Sequence, residues 1–240
     1  MPIIPFPAAS PVVYAFMTSD PVGQGIVVLL FLISVYVWIL MLEKFILVKG
    51  IRGEMELFHD RFKTSASPLD LILHLDKYPG PLAAIYQAGM EALVEVAKLD
   101  PREIELCCRK RTLPRLLTDL ELDKVRSAME KVAHEQATSL ERRLPVLGTA
   151  ISVSPMLGLL GTVWGIMLAF CALAEKGRAD ISALAPGVSG ALLTTVAGLV
   201  VAIPAAIGYN GLVIRVQRLT RQMDDFIDDV LFALRLSEHD

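Results

Sequence analysis

Charge is what this 240-residue chain lacks, and it lacks it in three blocks. No Asp, Glu, Lys, Arg or His occurs in 21–42, 144–174 or 181–214, runs of 22, 31 and 34 residues. Crossing a bilayer core about 30 Å thick takes about 20 apolar residues, so each run is long enough. Buried helices of a soluble protein do not carry runs of this length. Cysteine is scarce as well. Cys107, Cys108 and Cys171 are too few for a disulfide framework, and their spacing is not that of zinc ligands. His59, His74, His134 and His239 lie far apart without an HxxxH pattern, so neither a metal site nor a cofactor is expected. Basic excess is missing: 23 Lys+Arg stand against 26 Asp+Glu, which removes nucleic acid as an expected partner. No nucleophile–base pair or phosphate loop appears, which argues against an enzyme. Without inverted repeats or an intramembrane charge, alternating-access transport has no site.

What is present gives a topology. No Lys or Arg precedes Lys44, so the first run lacks the basic region of a signal peptide and reads as a retained anchor. Lys44, Lys49 and Arg52 follow the first run, Arg142 and Arg143 precede the second, and Arg215, Arg218 and Arg221 follow the third. By the positive-inside bias, 1–20 is a tail on the outer side, 43–143 a cytoplasmic region, 175–180 a loop on the outer side and 215–240 a cytoplasmic C-terminal helix. The expected fold is an all-α membrane protein with three transmembrane helices at 21–42, 144–174 and 181–214. The second and third runs reach about 46 and 51 Å as helices, more than one bilayer needs. The surplus implies long apolar helical extensions that pack in a homo-oligomer.

The region 43–143 holds 17 Lys+Arg and 17 Asp+Glu. Asp100-Pro101-Arg102-Glu103 has the pattern of a helix start. No Gly interrupts Met90 to Leu147, so one long helix is expected from Pro101, bent at Pro114, into the second span through Leu144 and Pro145. Its apolar stripes are Leu113, Leu117 and Leu120, then Leu122, Val125, Met129 and Val132. The Arg109-Lys110-Arg111 run and the pairs Asp224-Asp225 and Asp228-Asp229 read as solvated helix faces.

Small residues fall in register inside the later runs. At 100° per residue, Gly148, Pro155, Gly158, Gly165 and Ala169 lie within about 60° of Thr162. Ala191, Gly198, Ala202 and Ala206 lie within about the same angle of Thr195. Two explanations stand at this point. Such stripes let helix backbones approach closely in lipid. Alternatively Gly148, Pro155, Gly158, Gly165, Ala191, Gly198 and Ala202 face a narrow pore, with Thr162 and Thr195 as its few polar groups.

Ile151 to Met167 reads ISVSPMLGLLGTVWGIM, and Ala185 to Asn210 reads APGVSGALLTTVAGLVVAIPAAIGYN. Both blocks resemble the second- and third-span signatures of the TolQ/ExbB/MotA proton-channel family. Three spans rather than four place the resemblance with the TolQ/ExbB branch. It implies a homopentamer in the inner membrane of a Gram-negative bacterium, enclosing a pore. The pore would hold the single spans of two copies of a TolR- or ExbD-like partner. Proton flow would then drive a TolA- or TonB-like protein that reaches the outer membrane, for envelope integrity or for outer-membrane uptake. Thr162 and Thr195 match the pore-lining pair of the family. Many relatives carry Glu where this chain has Gly190. That departure favours one alternative, a non-conducting membrane scaffold that assembles partner proteins.

Overall fold

A computed structural model describes residues 11–65, 67–98, 106–107, 117–176 and 181–236. Among the described residues there is no strand. The helices are α1 (Pro11–Thr18), α2 (Pro21–Thr64), α3 (Pro81–Ala97), α4 (Asp119–Glu141), α5 (Leu144–Lys176) and α6 (Ile181–Leu236), with a short 3-10 helix at Ile72–Lys77. α2, α5 and α6 begin at the first residue of the three charge-free runs. Each of the three is long and apolar enough to cross a membrane. The expected 1–20 tail holds a helix of its own, α1, over residues that are wholly uncharged.

Contacts divide the chain into two compact units, Met1–Glu43 with Arg143–Gly211, and Lys44–Arg142 with Leu212–Asp240. In the first unit, Asp20 caps α2 through the backbone N–H groups of Val22 (3.0 Å) and Gly23 (3.3 Å), and Pro21 takes the first helical position. Ile26, Leu30, Val37, Leu40 and Met41 form the buried side of α2, while Phe31, Leu32, Trp38 and Ile39 stay exposed. Such a face suits lipid, where an apolar surface costs nothing.

The second unit is built as water-soluble proteins are. Val48, Met55, Phe58 and Phe62 of α2, Leu82, Ile85, Tyr86 and Leu93 of α3, and Leu122, Val125, Met129 and Ala133 of α4 are buried. So are Val216, Leu219, Met223, Phe226, Ile227 and Val230 of α6, at three- and four-residue spacings that give one apolar face. Gly80, at φ 119°, admits the turn before α3, a conformation that favours glycine. Gly89 lets α3 lie on Met129 of α4, whose Sδ would stand 2.6 Å from an added Cβ. Lys44 is 4% exposed, and its ammonium donates to Leu140 O (3.1 Å), capping the C-terminal end of α4.

The single long helix expected from Pro101 does not form. That start and Pro114 lie outside the described residues, as do Leu113 and the Arg109–Arg111 run. Leu117 and Thr118 are not helical, and the helix starts at Asp119. A capping box sets that start: Thr118 Oγ1 accepts from Glu121 N (3.4 Å), and Glu121 Oε2 accepts from Thr118 N (2.8 Å). The helix then ends at Glu141, and Arg143, at φ 74°, breaks the path into α5. Leu120 is 69% exposed, off the stripe, and Ala133 rather than Val132 completes the buried face. Of the acidic pairs, Asp228 bonds Arg126 (2.9 Å) and Asp229 meets His59 (3.2 Å).

Candidate functional site

α5 and α6 run antiparallel along a seam of small residues. A Cβ on Gly158 would stand 2.9 Å from Thr194 O and 3.0 Å from Thr195 Cα. One on Gly165 would stand 2.9 Å from Ala191 Cβ, and one on Gly198 would stand 2.6 Å from Ser154 O. Real Cβ atoms do not come so near backbone. Gly158, Gly165, Ala191 and Gly198 therefore sit where the two helices touch, and Ala202 and Ala169 are buried beside them. Gly148 faces the Tyr209 hydroxyl at ordinary contact distance, 3.6 Å from an added Cβ. Pro155 is half-buried within α5. The opposite faces carry Met156, Leu159, Leu160 and Val163 on α5 and Leu192, Val196, Val200 and Ile203 on α6, all exposed. Within one chain the small stripes thus serve close packing, the arrangement that brings backbones together in lipid.

The seam brings Thr162 and Thr195 together. Their hydroxyl oxygens are in direct hydrogen-bond contact. Thr162 Oγ1 also lies 3.0 Å from Gly158 O, its own helix's carbonyl one turn back, and 3.3 Å from Ala191 O on the facing helix. Thr195 Oγ1 lies 3.1 Å from Gly158 O, across the seam. Each hydroxyl has one proton and several acceptors within reach, so either can turn its proton to a carbonyl or to its neighbour. Both threonines are half-buried rather than sealed. Thr194 differs: it is wholly buried, and its hydroxyl reaches Ala191 O (2.7 Å) and Gly158 O (3.1 Å). Thr194 fills the space left by the missing side chain of Gly161. Sequence reasoning singled out Thr195 and passed over Thr194, although the pair stands adjacent in the chain.

A second cluster lies further along the same helices. Trp164 Nε1 donates to Asp20 Oδ2 (3.0 Å). Ser19 rests on Gly190, with its Cβ 3.0 Å from where a Cβ would stand. A side chain at 190 would collide with Ser19 as it is placed here, so Gly190 leaves the room that Ser19 occupies. Neither contact could be found from spacing, because Asp20 and Trp164 are separated by most of the chain.

The sequence profile of the MotA/TolQ/ExbB proton channel family matches residues 80–225, which include the whole seam and the threonine pair. The chain belongs to that family. It is 31% identical over 217 residues to the Tol-Pal system protein TolQ of Haemophilus influenzae, covering 89% of each chain. To TolQ of Pseudomonas aeruginosa it is 30% identical, over 91% of this chain and 90% of the relative. To the biopolymer transport protein ExbB of Neisseria meningitidis it is 26% identical, over 90% of this chain and 93% of the relative. With its three apolar helices, the chain is a TolQ/ExbB-type member of the family and a multi-pass protein of the inner membrane.

Proposed function

We propose that the chain is the channel subunit of a proton-driven motor, and that Thr162 and Thr195 are its polar contribution to the proton path. The observation that carries this is the meeting of two half-buried hydroxyls across a seam of small residues. No ionisable Asp, Glu, Lys, Arg or His lies in 21–42, 144–174 or 181–214. A threonine hydroxyl stays protonated near neutral pH, so the pair can hand on a hydrogen bond but cannot hold or release a charge. The titrating group then comes from a partner, as a carboxylate on the single span of a TolR- or ExbD-like protein. Burial of that carboxylate disfavours its charged form and lifts its pKa towards neutrality. A homopentamer would surround two such spans, with the N-terminus periplasmic and the C-terminus cytoplasmic. Gly148, Pro155, Gly158, Gly165, Ala191, Gly198 and Ala202 would then bring α5 and α6 close enough to set the pore's width. The work would be done on a TolA- or TonB-like protein.

The test is co-reconstitution with the single-span partner in liposomes under an imposed potential. Thr162→Val and Thr195→Val keep size and β-branching but remove the hydroxyl. Each should lower proton uptake at least about tenfold, the equivalent of one lost hydrogen bond in the conducting state, with assembly intact. The chain without its partner should take up no more than empty vesicles. Uptake unchanged in both variants would leave close packing as the role of the two threonines, and a wild-type complex without uptake would favour the scaffold.

A further inference from the structure

The corner between α1 and α2 does more than turn the chain. Asp20 Oδ2 alone accepts three donors: Val22 N (3.0 Å), Gly23 N (3.3 Å) and Trp164 Nε1 (3.0 Å). The first two are an ordinary helix cap. The third crosses to α5. Beside it, Ser19 donates to Ala15 O (2.6 Å), closing α1, and lies on Gly190 of α6. Gln24 Nε2 braces the corner by donating to Phe16 O (3.1 Å) and Ser19 O (3.2 Å). One two-residue corner is thereby tied to both helices of the seam. Trp164 stands two residues beyond Thr162 and Gly190 five before Thr195, about 3 and 7.5 Å along their helix axes.

We propose that Asp20 is a positioning residue for the hydroxyl pair. Holding Trp164, with Ser19 resting on Gly190, it fixes the spacing of α5 and α6 at Thr162 and Thr195. This rests on the proton-path role of those threonines. What matters is the acceptor oxygen rather than the charge, because all three donors converge on a single oxygen. Asn supplies such an oxygen and caps helices as well as Asp does.

Two measurements on the full chain test it. In a Trp38→Phe background, Trp164 is the sole tryptophan, since the chain has two. Its fluorescence emission should shift in Asp20→Ala and stay in place in Asp20→Asn. In the complex reconstituted with its single-span partner, Asp20→Ala and Trp164→Phe should each lower proton uptake about tenfold, as expected for one lost hydrogen bond. The two together should be no worse than either, and Asp20→Asn should restore uptake. Gly190→Ala, which pushes on Ser19, should lower uptake, and Ser19→Gly added to it should recover part of the loss. Equal loss in Asp20→Asn and Asp20→Ala would overturn the proposal in favour of a role for the charge. Normal uptake in Asp20→Ala with shifted Trp164 emission would overturn positioning while leaving the proton path standing. A wild-type complex without uptake would remove the proton path itself, and this proposal with it.

Discussion

The seam between α5 and α6 and the core around Phe58 solve packing in opposite ways. At the seam, glycine meets backbone: Gly158 on Thr194 and Thr195, Gly198 on Ser154. Around Phe58, ring meets ring: Tyr78, Tyr86 and Phe226 stand edge-on to it at 5.7, 5.8 and 5.8 Å between centroids. The difference follows from the solvent. In water, large side chains stabilise by leaving it, and each buried aromatic removes much apolar area. In lipid that gain disappears, so close backbone contact and shared hydroxyls remain. Large apolar residues consequently point inward around Phe58 and outward beside the seam.

The largest effect should follow from emptying the aromatic core. Phe58 is 1% exposed, and Phe58→Ala should cost about 3–5 kcal/mol through lost burial and the cavity left behind. Thermal unfolding in mild detergent, followed by near-UV dichroism, measures it. A loss below about 1 kcal/mol would show that this core relaxes freely, against its close ring packing.

Glycine to alanine should then change sign between the two regions. At Gly198 the new Cβ meets Ser154 O at 2.6 Å, so Gly198→Ala should destabilise by about 1–3 kcal/mol. Gly50 and Gly53, in the part of α2 beyond the charge-free run, have nothing within 4 Å of an added Cβ. Gly50→Ala and Gly53→Ala should each stabilise by up to about 1 kcal/mol, the helix-propensity gain alone. Equal signs at Gly198 and Gly50, in the same thermal assay, would break the comparison on which the seam rests.

How much of this could be read from the residues follows the same division. Charge gaps mark where α2, α5 and α6 begin, because a helix that meets lipid cannot carry ions, and composition records that directly. The threonine pair was legible as two stripes of one period. Partners across the seam were not, since Thr194 and Thr195 differ only in which side of a crossing they occupy. Asp20 with Trp164 depends on tertiary closure. In the second unit a signal for the described helix start is present in the residues. Thr118-Asp119-Leu120-Glu121 has the capping-box spacing, and the box forms; the Asp100-Pro101 start lies outside the described residues. Arg143 carries no mark of a break in its chemistry, as arginine seldom takes a positive φ. Thr118→Ala offers a direct measure of that box, and should cost about 1 kcal/mol of thermal stability, with fraying at the start of α4 seen by hydrogen exchange.

The smallest effect belongs to the ion pair between Glu43 and Arg143. Arg143 Nη1 lies 2.8 Å from Glu43 Oε1 and 2.9 Å from Oε2, yet both side chains are about half exposed. Water screens such pairs, so Glu43→Gln should change stability by at most about 1 kcal/mol, and less at high salt. Arg143→Gly removes the same pair but also relieves a residue held at φ 74°. A left-handed residue with a Cβ costs about 1–2 kcal/mol, and glycine avoids that cost while giving back part of it as chain entropy. Arg143→Gly should therefore melt no lower than Glu43→Gln. If it melts several degrees lower, the arginine side chain contributes more than this pair accounts for. The break would then owe its stability to side-chain contacts, as the Phe58 core does, rather than to backbone geometry, as the seam does.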